Sequence, residues 1–133
     1  MKKILILLGI IIVSIVVVFF FAFFIVTAPK DVGEFSVNDF SEEIANVNFH
    51  TEKNYGVIND YKSAAKAGKN AIAERFGNSS GNIFEWMGCD VCYDRENDSY
   101  YIRTYHINPL ILGGAYDVLI KSDGTIIAIW GED

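Results

Sequence analysis

A long apolar run near the start of this 133-residue chain decides where the rest of the protein is found. Ile4–Val26 spans 23 residues without a charge, and only Gly9 and Ser14 interrupt its apolar side chains. A helix of this length measures about 35 Å and can cross a hydrocarbon core of about 30 Å. Lipid offers the backbone no hydrogen-bond partner, so a single spanning segment must be a helix. We therefore expect a transmembrane helix over residues 4–26.

The residues around this run predict its orientation and its fate. Lys2 and Lys3 precede it, and the positive-inside bias keeps such lysines in the cytoplasm. The protein is then a single-pass protein of the cell membrane with its C-terminal domain outside the cytoplasm. A cleaved signal peptide is the alternative, but its apolar core usually has only about 7–15 residues. Pro29 also follows the best small-residue cleavage pattern, at residues 26–28, so we expect residues 1–27 to be retained as an anchor.

Residues 28–133 have the size of one domain and carry a strong negative charge. All 17 acidic residues but only nine of the 11 basic residues lie there, which gives a formal charge of −8. Such a surface repels nucleic acid and anionic lipid headgroups. We expect no nucleic-acid partner, and we expect any protein partner to be basic. A solvated acidic surface that only keeps the domain soluble is the simpler alternative.

Helical patterns occupy the first half of this domain. Residues 27–38 predict a short tether, and residues 40–45 predict a short helix. Asn59–Phe76 predicts a long helix, with Gly77 as a left-handed cap at its end. Its apolar and small residues recur at spacings of three and four along one face: Ile58, Tyr61, Ala65, Gly68, Ile72 and Phe76.

Four strands are predicted after the long helix. The runs are rich in aromatic and β-branched residues and are separated by turn residues: Ile83–Cys92, Ser99–Ile107, Ala115–Lys121 and Thr125–Trp130. The last two runs flank Ser122-Asp123-Gly124, a hairpin turn signal. An antiparallel meander that follows one long helix predicts an α+β domain with the helix laid on the sheet. We assign this domain to residues 58–133, and the tether with the short helix to residues 28–57.

The two cysteines form a Cys-x-x-Cys pattern, Cys89-Asp90-Val91-Cys92. A redox site needs this pattern at a helix N-terminus, whereas a strand and a turn surround it here. A zinc site needs four ligands, and His106 lacks a second histidine at the expected spacing. A local disulfide between Cys89 and Cys92 and a pair of free thiols both remain open, because residues three apart on a strand point to opposite faces.

No motif in the chain predicts catalysis. His50 and His106 lie in no nucleophile motif. The carboxylates from Asp90 to Asp98 lack the glycine and the closing glutamate of a calcium loop, and Gly113-Gly114 precedes no helix that could cradle a phosphate. We expect no enzyme activity, no metal and no cofactor.

Five stretches stand in a fixed order along the domain: Ala64–Gly77, the turn with Asp94 and Asp98, Tyr101–Arg103, Gly113-Gly114 and Asp117–Ile127. Together they resemble bacterial immunity proteins of the nuclear transport factor 2 fold, which neutralise the toxins of polymorphic contact-dependent systems. The resemblance covers residues 58–131 and leaves out the apolar run. It implies a cone of curved sheet wrapped on a helix, and binding of a cognate toxin without catalysis.

Two other classes of function fit the same order of elements. One is a membrane-tethered regulatory or inhibitory module of the PepSY or cystatin-like type, which also places one helix before an antiparallel meander. The other is a small-ligand-binding domain that uses the interior of the cone.

Candidate partner-binding residues are those that a hydrophobic core explains least. Trp, Tyr and Arg most often carry interface energy, and acidic residues raise the rate of encounter with a basic partner. The candidates are Trp86, Asp90, Asp94, Tyr101, Arg103 and Tyr105.

Overall fold

The computed structural model describes residues 1–46, 53–77, 87–105 and 114–131 of the chain. Three helices lie in these ranges: α1 (Lys2–Thr27), α2 (Ser41–Asn46) and α3 (Tyr61–Phe76). A 3-10 turn, Val37–Phe40, precedes α2. The strands are β1 (Lys30–Glu34), β2 (Gly88–Asp94), β3 (Ser99–Tyr105), β4 (Tyr116–Lys121) and β5 (Ile126–Gly131). The chain is α+β.

The helix α1 is long and apolar enough to cross a membrane. It has 26 residues, its most apolar stretch has a mean hydropathy of 3.5, and none of its residues is buried by the rest of the protein. An N-terminal signal sequence can also be long and apolar enough to reach these limits.

The predicted tether is wrong in part, because a strand forms within it. Only Ala28 and Pro29 separate α1 from β1, and β1 pairs in parallel with β2 through the partners Lys30–Asp90 and Asp31–Val91. The sequence of β1, Lys-Asp-Val-Gly-Glu, is polar and fully exposed. Without an apolar face it has no strand pattern of its own, and pairing with β2 supplies its order.

The described strands form one five-stranded sheet in the order β1-β2-β3-β4-β5. β2 to β5 pair antiparallel, which confirms the predicted meander. The prediction of a purely antiparallel four-stranded sheet is wrong, because β1 adds a parallel edge strand. Residues 83–86 and 106–107, which were predicted as strand, lie outside the described residues.

The helix α3 covers one face of the sheet, here called the helix face. Its buried residues include Ala65, Gly68 and Ile72, and they pack with Ile58 from the chain before α3 into the core. At Gly68 the helix rests on the fully buried Ile102, since an added Cβ would lie 3.0 to 3.1 Å from three of its atoms. The predicted small-residue face is confirmed.

The two ends of α3 differ in how well the sequence predicts them. Asp60 and Ser63 form a capping box in which Asp60 Oδ1 accepts from the Ser63 N–H at 2.7 Å. The predicted left-handed cap at Gly77 is wrong, because its φ of −71° is negative and its ψ of 108° makes the residue extended. Glycine is required there for a different reason: a Cβ would lie 2.2 Å from the Ala73 carbonyl oxygen.

Candidate protein-binding face of the sheet

The side chains of β2 to β5 that point away from α3 form a second face of the sheet. Strand residues alternate between the two faces. Val91, Ile102, Val118 and Ile129 lie in the core under α3. Their neighbours along each strand therefore belong to this second face: Asp90, Cys92, Tyr101, Arg103, Tyr105, Asp117, Leu119, Ala128 and Trp130.

A row of directly paired residues crosses this face over all five strands. The partners are Lys30–Asp90, Asp90–Arg103, Arg103–Asp117 and Asp117–Trp130. Cross-strand partners on one face lie about 4.5–5.5 Å apart at Cβ, so opposite charges in this arrangement attract. We call Lys30, Asp90, Arg103, Asp117 and Trp130 the charge row. It alternates basic, acidic, basic and acidic, and ends in an indole.

The most buried member of the row is Asp117, whose exposed fraction is 0%. The Tyr101 hydroxyl donates a hydrogen bond of 2.6 Å to Asp117 Oδ1. Burial, followed by this contact with the Asp117 carboxylate, raises the pKa of Tyr101 despite the opposing influence of Arg103. Tyr101 therefore stays a protonated donor at neutral pH, and the carboxylate keeps a partner inside the protein.

An aromatic cluster covers one part of the second face. The Phe40 ring lies 4.7 Å from the Tyr101 ring and 5.8 Å from the Trp130 ring, measured between centroids. Phe35 lies 5.7 Å from Tyr101 and 5.9 Å from Phe40. The segment before α2 therefore closes this part of the face.

Another part of the face remains partly accessible at Asp90, Arg103 and Tyr105, which are all half-buried. The Tyr105 hydroxyl donates to Asp90 Oδ1 at 3.3 Å. Its ring lies over Gly88, where an added Cβ would stand 2.3 Å from a ring carbon. A tyrosine, an arginine and an aspartate are thereby held side by side with polar groups still in reach of a partner.

Asp94 is the last residue of β2, where the chain enters the turn to β3. Its side chain is buried and accepts from the backbone N–H groups of Val37 at 2.8 Å, Glu96 at 2.9 Å and Asn97 at 3.1 Å. Burial alone raises the pKa of Asp94, but these bonds and that from the Asn97 side chain outweigh it and hold the pKa below its usual range. The carboxylate orders this turn and joins it to the segment before α2.

The two cysteines are free thiols. Cys89 is fully buried on the helix face, and burial raises its pKa to about 12. Cys92 is half-buried on the second face, where burial, followed by Asp90 and Asp31, raises its pKa as well. Both thiols are therefore protonated at neutral pH, which makes them poor nucleophiles.

Five of the six sequence candidates share the second face: Asp90, Asp94, Tyr101, Arg103 and Tyr105. Asp94 stands at the end of β2 that leads into the turn, and Trp86 lies outside the described residues. Sequence reasoning missed Lys30, Asp117 and Trp130. The strand register could have identified Asp117. Once β3 and β4 are aligned as a hairpin, alternation predicts that Asp117 pairs with Arg103.

No group of three or more metal-ligating side chains occurs in the part of the chain that the structure describes. His50, His106 and Gly113 lie outside that part. Among the described residues, the second face brings aromatic rings together with Arg103, and both residue types are enriched where proteins contact one another.

No protein-family model, curated protein or solved structure matches this chain.

Proposed function

We propose that this chain is a membrane-anchored binding protein that recognises a protein toxin through the second face of its sheet and converts no substrate. The observation that carries the proposal is the charge row with Tyr105 beside it. It presents Arg, Asp and Tyr side chains, partly accessible, on a rigid sheet. Tyr and Arg are enriched among residues that dominate binding energy.

The charge of the domain supports a basic partner. The excess of eight acidic residues over basic ones beyond residue 27 raises the encounter rate with a positively charged protein and makes it sensitive to salt. The toxin as partner rests on the resemblance of residues 58–131 to immunity proteins.

The position of the charge row supports binding close to the membrane. Its first member, Lys30, follows the last residue of α1 by three positions. With α1 retained as a single-pass anchor and the domain outside the cytoplasm, the toxin is met at the membrane surface before it enters the cell.

The close fit between α3 and the sheet favours an external binding surface over a ligand in the interior of a cone. At Gly68 the backbone already touches Ile102, so no ligand fits between helix and sheet at that point.

Co-expression with a toxin-like gene next to the gene of this chain tests the proposal. We expect the wild-type protein to protect cells, and Asp90→Ala/Tyr105→Ala to lose protection, because it removes two accessible side chains and leaves Asp117 with Tyr101. Arg95→Ala/Lys121→Ala, at the opposite ends of the strands, is the matched control and should protect.

Equal protection by both double variants would exclude the second face as the binding surface. Absence of protection by the wild-type protein would favour the regulatory-module alternative.

A further inference from the structure

Three lysines form a stripe along α3: Lys62, Lys66 and Lys69. They are spaced by four and three residues, which places them on one side of the helix. The buried residues of α3, among them Ala64 and Ala71, lie on the other side. In a domain with a formal charge of −8, this lysine stripe is a local concentration of positive charge.

The stripe lies beside the end of α1. All three lysines line an open cleft of about 290 Å³ together with Pro29, Ala65 and Asn70. Pro29 is the second residue after Thr27, where α1 ends. Two residues of chain reach at most about 7 Å, so the Pro29 side of the cleft lies within that distance of the end of the apolar helix.

This distance corresponds to the headgroup layer of a bilayer. The hydrocarbon core is about 30 Å thick, and the headgroup regions bring the total to about 40–45 Å. A cleft that opens just beyond the end of a membrane-spanning α1 therefore lies at the level of the lipid phosphates.

The ammonium groups in the cleft have hydrogen-bonding capacity to spare. Lys69 Nζ donates one bond to the Met87 carbonyl oxygen at 3.0 Å, and an ammonium carries three donors. Lys62 Nζ lies 5.9 Å from the centre of the Tyr61 ring and also interacts with the Asp60 carboxylate. Asn70 adds an amide that can donate as well.

We propose that the lysine stripe binds the phosphate groups of anionic lipids in the membrane that holds α1, and so fixes the domain against the bilayer. The inference rests on the membrane anchoring in the proposed function. The overall negative charge predicts repulsion from such lipids, but lysines near an anionic surface are attracted individually over a Debye length of about 8 Å. The stripe thus turns one side of an acidic domain towards the membrane and leaves the second face for a partner.

The test uses the full chain in vesicles of phosphatidylcholine alone or of an equimolar mixture with phosphatidylglycerol. The rate of acetylation of each lysine by an amine-reactive reagent is measured by mass spectrometry. We expect the stripe lysines to react about threefold or more slowly in the anionic vesicles, because bound phosphates shield them. Lys121, on β4 and outside the cleft, is the internal reference and should change little.

Variants separate direct contact from a general surface potential. In Lys62→Gln/Lys66→Gln the protection of Lys69 should fall, since two of the three charges that hold the lipid are gone. Arg95→Gln/Lys121→Gln removes the same charge elsewhere and should keep the protection.

Each outcome assigns or removes the lipid site. The protein should float with the vesicles and resist carbonate extraction. If the stripe lysines of such protein are acetylated at equal rates in both kinds of vesicle, the stripe binds no anionic lipid, and the anchor is unaffected. Protein that fails to enter the vesicles would contradict the anchor itself. Equal protection by inorganic phosphate in phosphatidylcholine vesicles would show a site for free phosphate and overturn the lipid assignment.

Discussion

The contact between Tyr101 and Asp117 shows how single residues set the properties of the second face. A carboxylate with no exposed surface is costly unless hydrogen bonds replace its water. The bond of 2.6 Å from Tyr101 does so for Oδ1, and Arg103 is the cross-strand partner of Asp117. Arg103, which is half-buried, belongs to the same face and opposes the rise of the Tyr101 pKa.

Replacement of Tyr101 by Phe should lower the free energy of unfolding by about 1–3 kcal/mol, because a buried carboxylate loses a donor. Chemical denaturation of the domain in detergent measures it. Tyr105→Phe is the matched control: its bond to Asp90 is 3.3 Å long and half-buried, so the loss should stay below about 1 kcal/mol. Equal losses of unfolding free energy in the two variants would mean that the bond from Tyr101 to Asp117 stabilises the domain no more than the half-buried bond from Tyr105 to Asp90 does.

At the residue scale the sequence predicted the accessible members of the second face better than its buried member. Residue type selects Asp90, Arg103 and Tyr105, which are accessible, and also Tyr101, which the aromatic cluster covers. Asp117 lies in a run of apolar residues and looks like an ordinary strand polar residue, and only its pairing with Arg103 gives it a role.

Among the elements, α3 and the four meander strands follow from local patterns. Helical spacing and alternating strands are read within about ten residues, and the core under Ile72 and Ile102 agrees with them. The parallel strand β1 could not be predicted in this way, because its order comes from pairing with β2. Lys30 pairs with Asp90, about 60 residues further along the chain and outside any local window.

The contact between α3 and β3 predicts an unusual effect of Gly68→Ala. Alanine gains about 1 kcal/mol of helix propensity over glycine, but its Cβ would press on Ile102 at 3.0 to 3.1 Å, and such overpacking costs about 1–3 kcal/mol. We expect the variant to unfold at a lower denaturant concentration than the wild type.

A double-mutant cycle with Ile102→Ala isolates this contact. Without the Ile102 side chain, Gly68→Ala should be neutral or stabilising, since only the propensity gain remains. If Gly68→Ala stabilises the wild-type protein as much as it stabilises the Ile102→Ala variant, the helix does not rest on the sheet at this point.

For the whole molecule, the arrangement of charges matters more than their sum. The acidic total predicts a basic partner and repulsion from anionic lipid, yet three of the nine basic residues beyond residue 27 stand together beside Pro29. Composition does not predict this uneven distribution of charge. It depends on the pairing of β1 with β2, which places Pro29 beside α3.

Retention of α1 is the corresponding prediction for the whole chain. N-terminal sequencing or intact mass of the protein from cells should give a mature chain that includes residues 1–27, because Pro29 opposes cleavage after Ala28. A mature chain that begins near Pro29 would contradict the anchor.

The affinity of the domain for the toxin domain encoded beside its gene tests the proposed function most directly. Isothermal titration with the full chain in nanodiscs should give tight binding for the wild type and for Arg95→Ala/Lys121→Ala. For Asp90→Ala/Tyr105→Ala we expect a Kd raised about tenfold or more, which corresponds to about 1.4 kcal/mol. An unchanged Kd for this variant, with wild-type stability, would contradict binding through the second face.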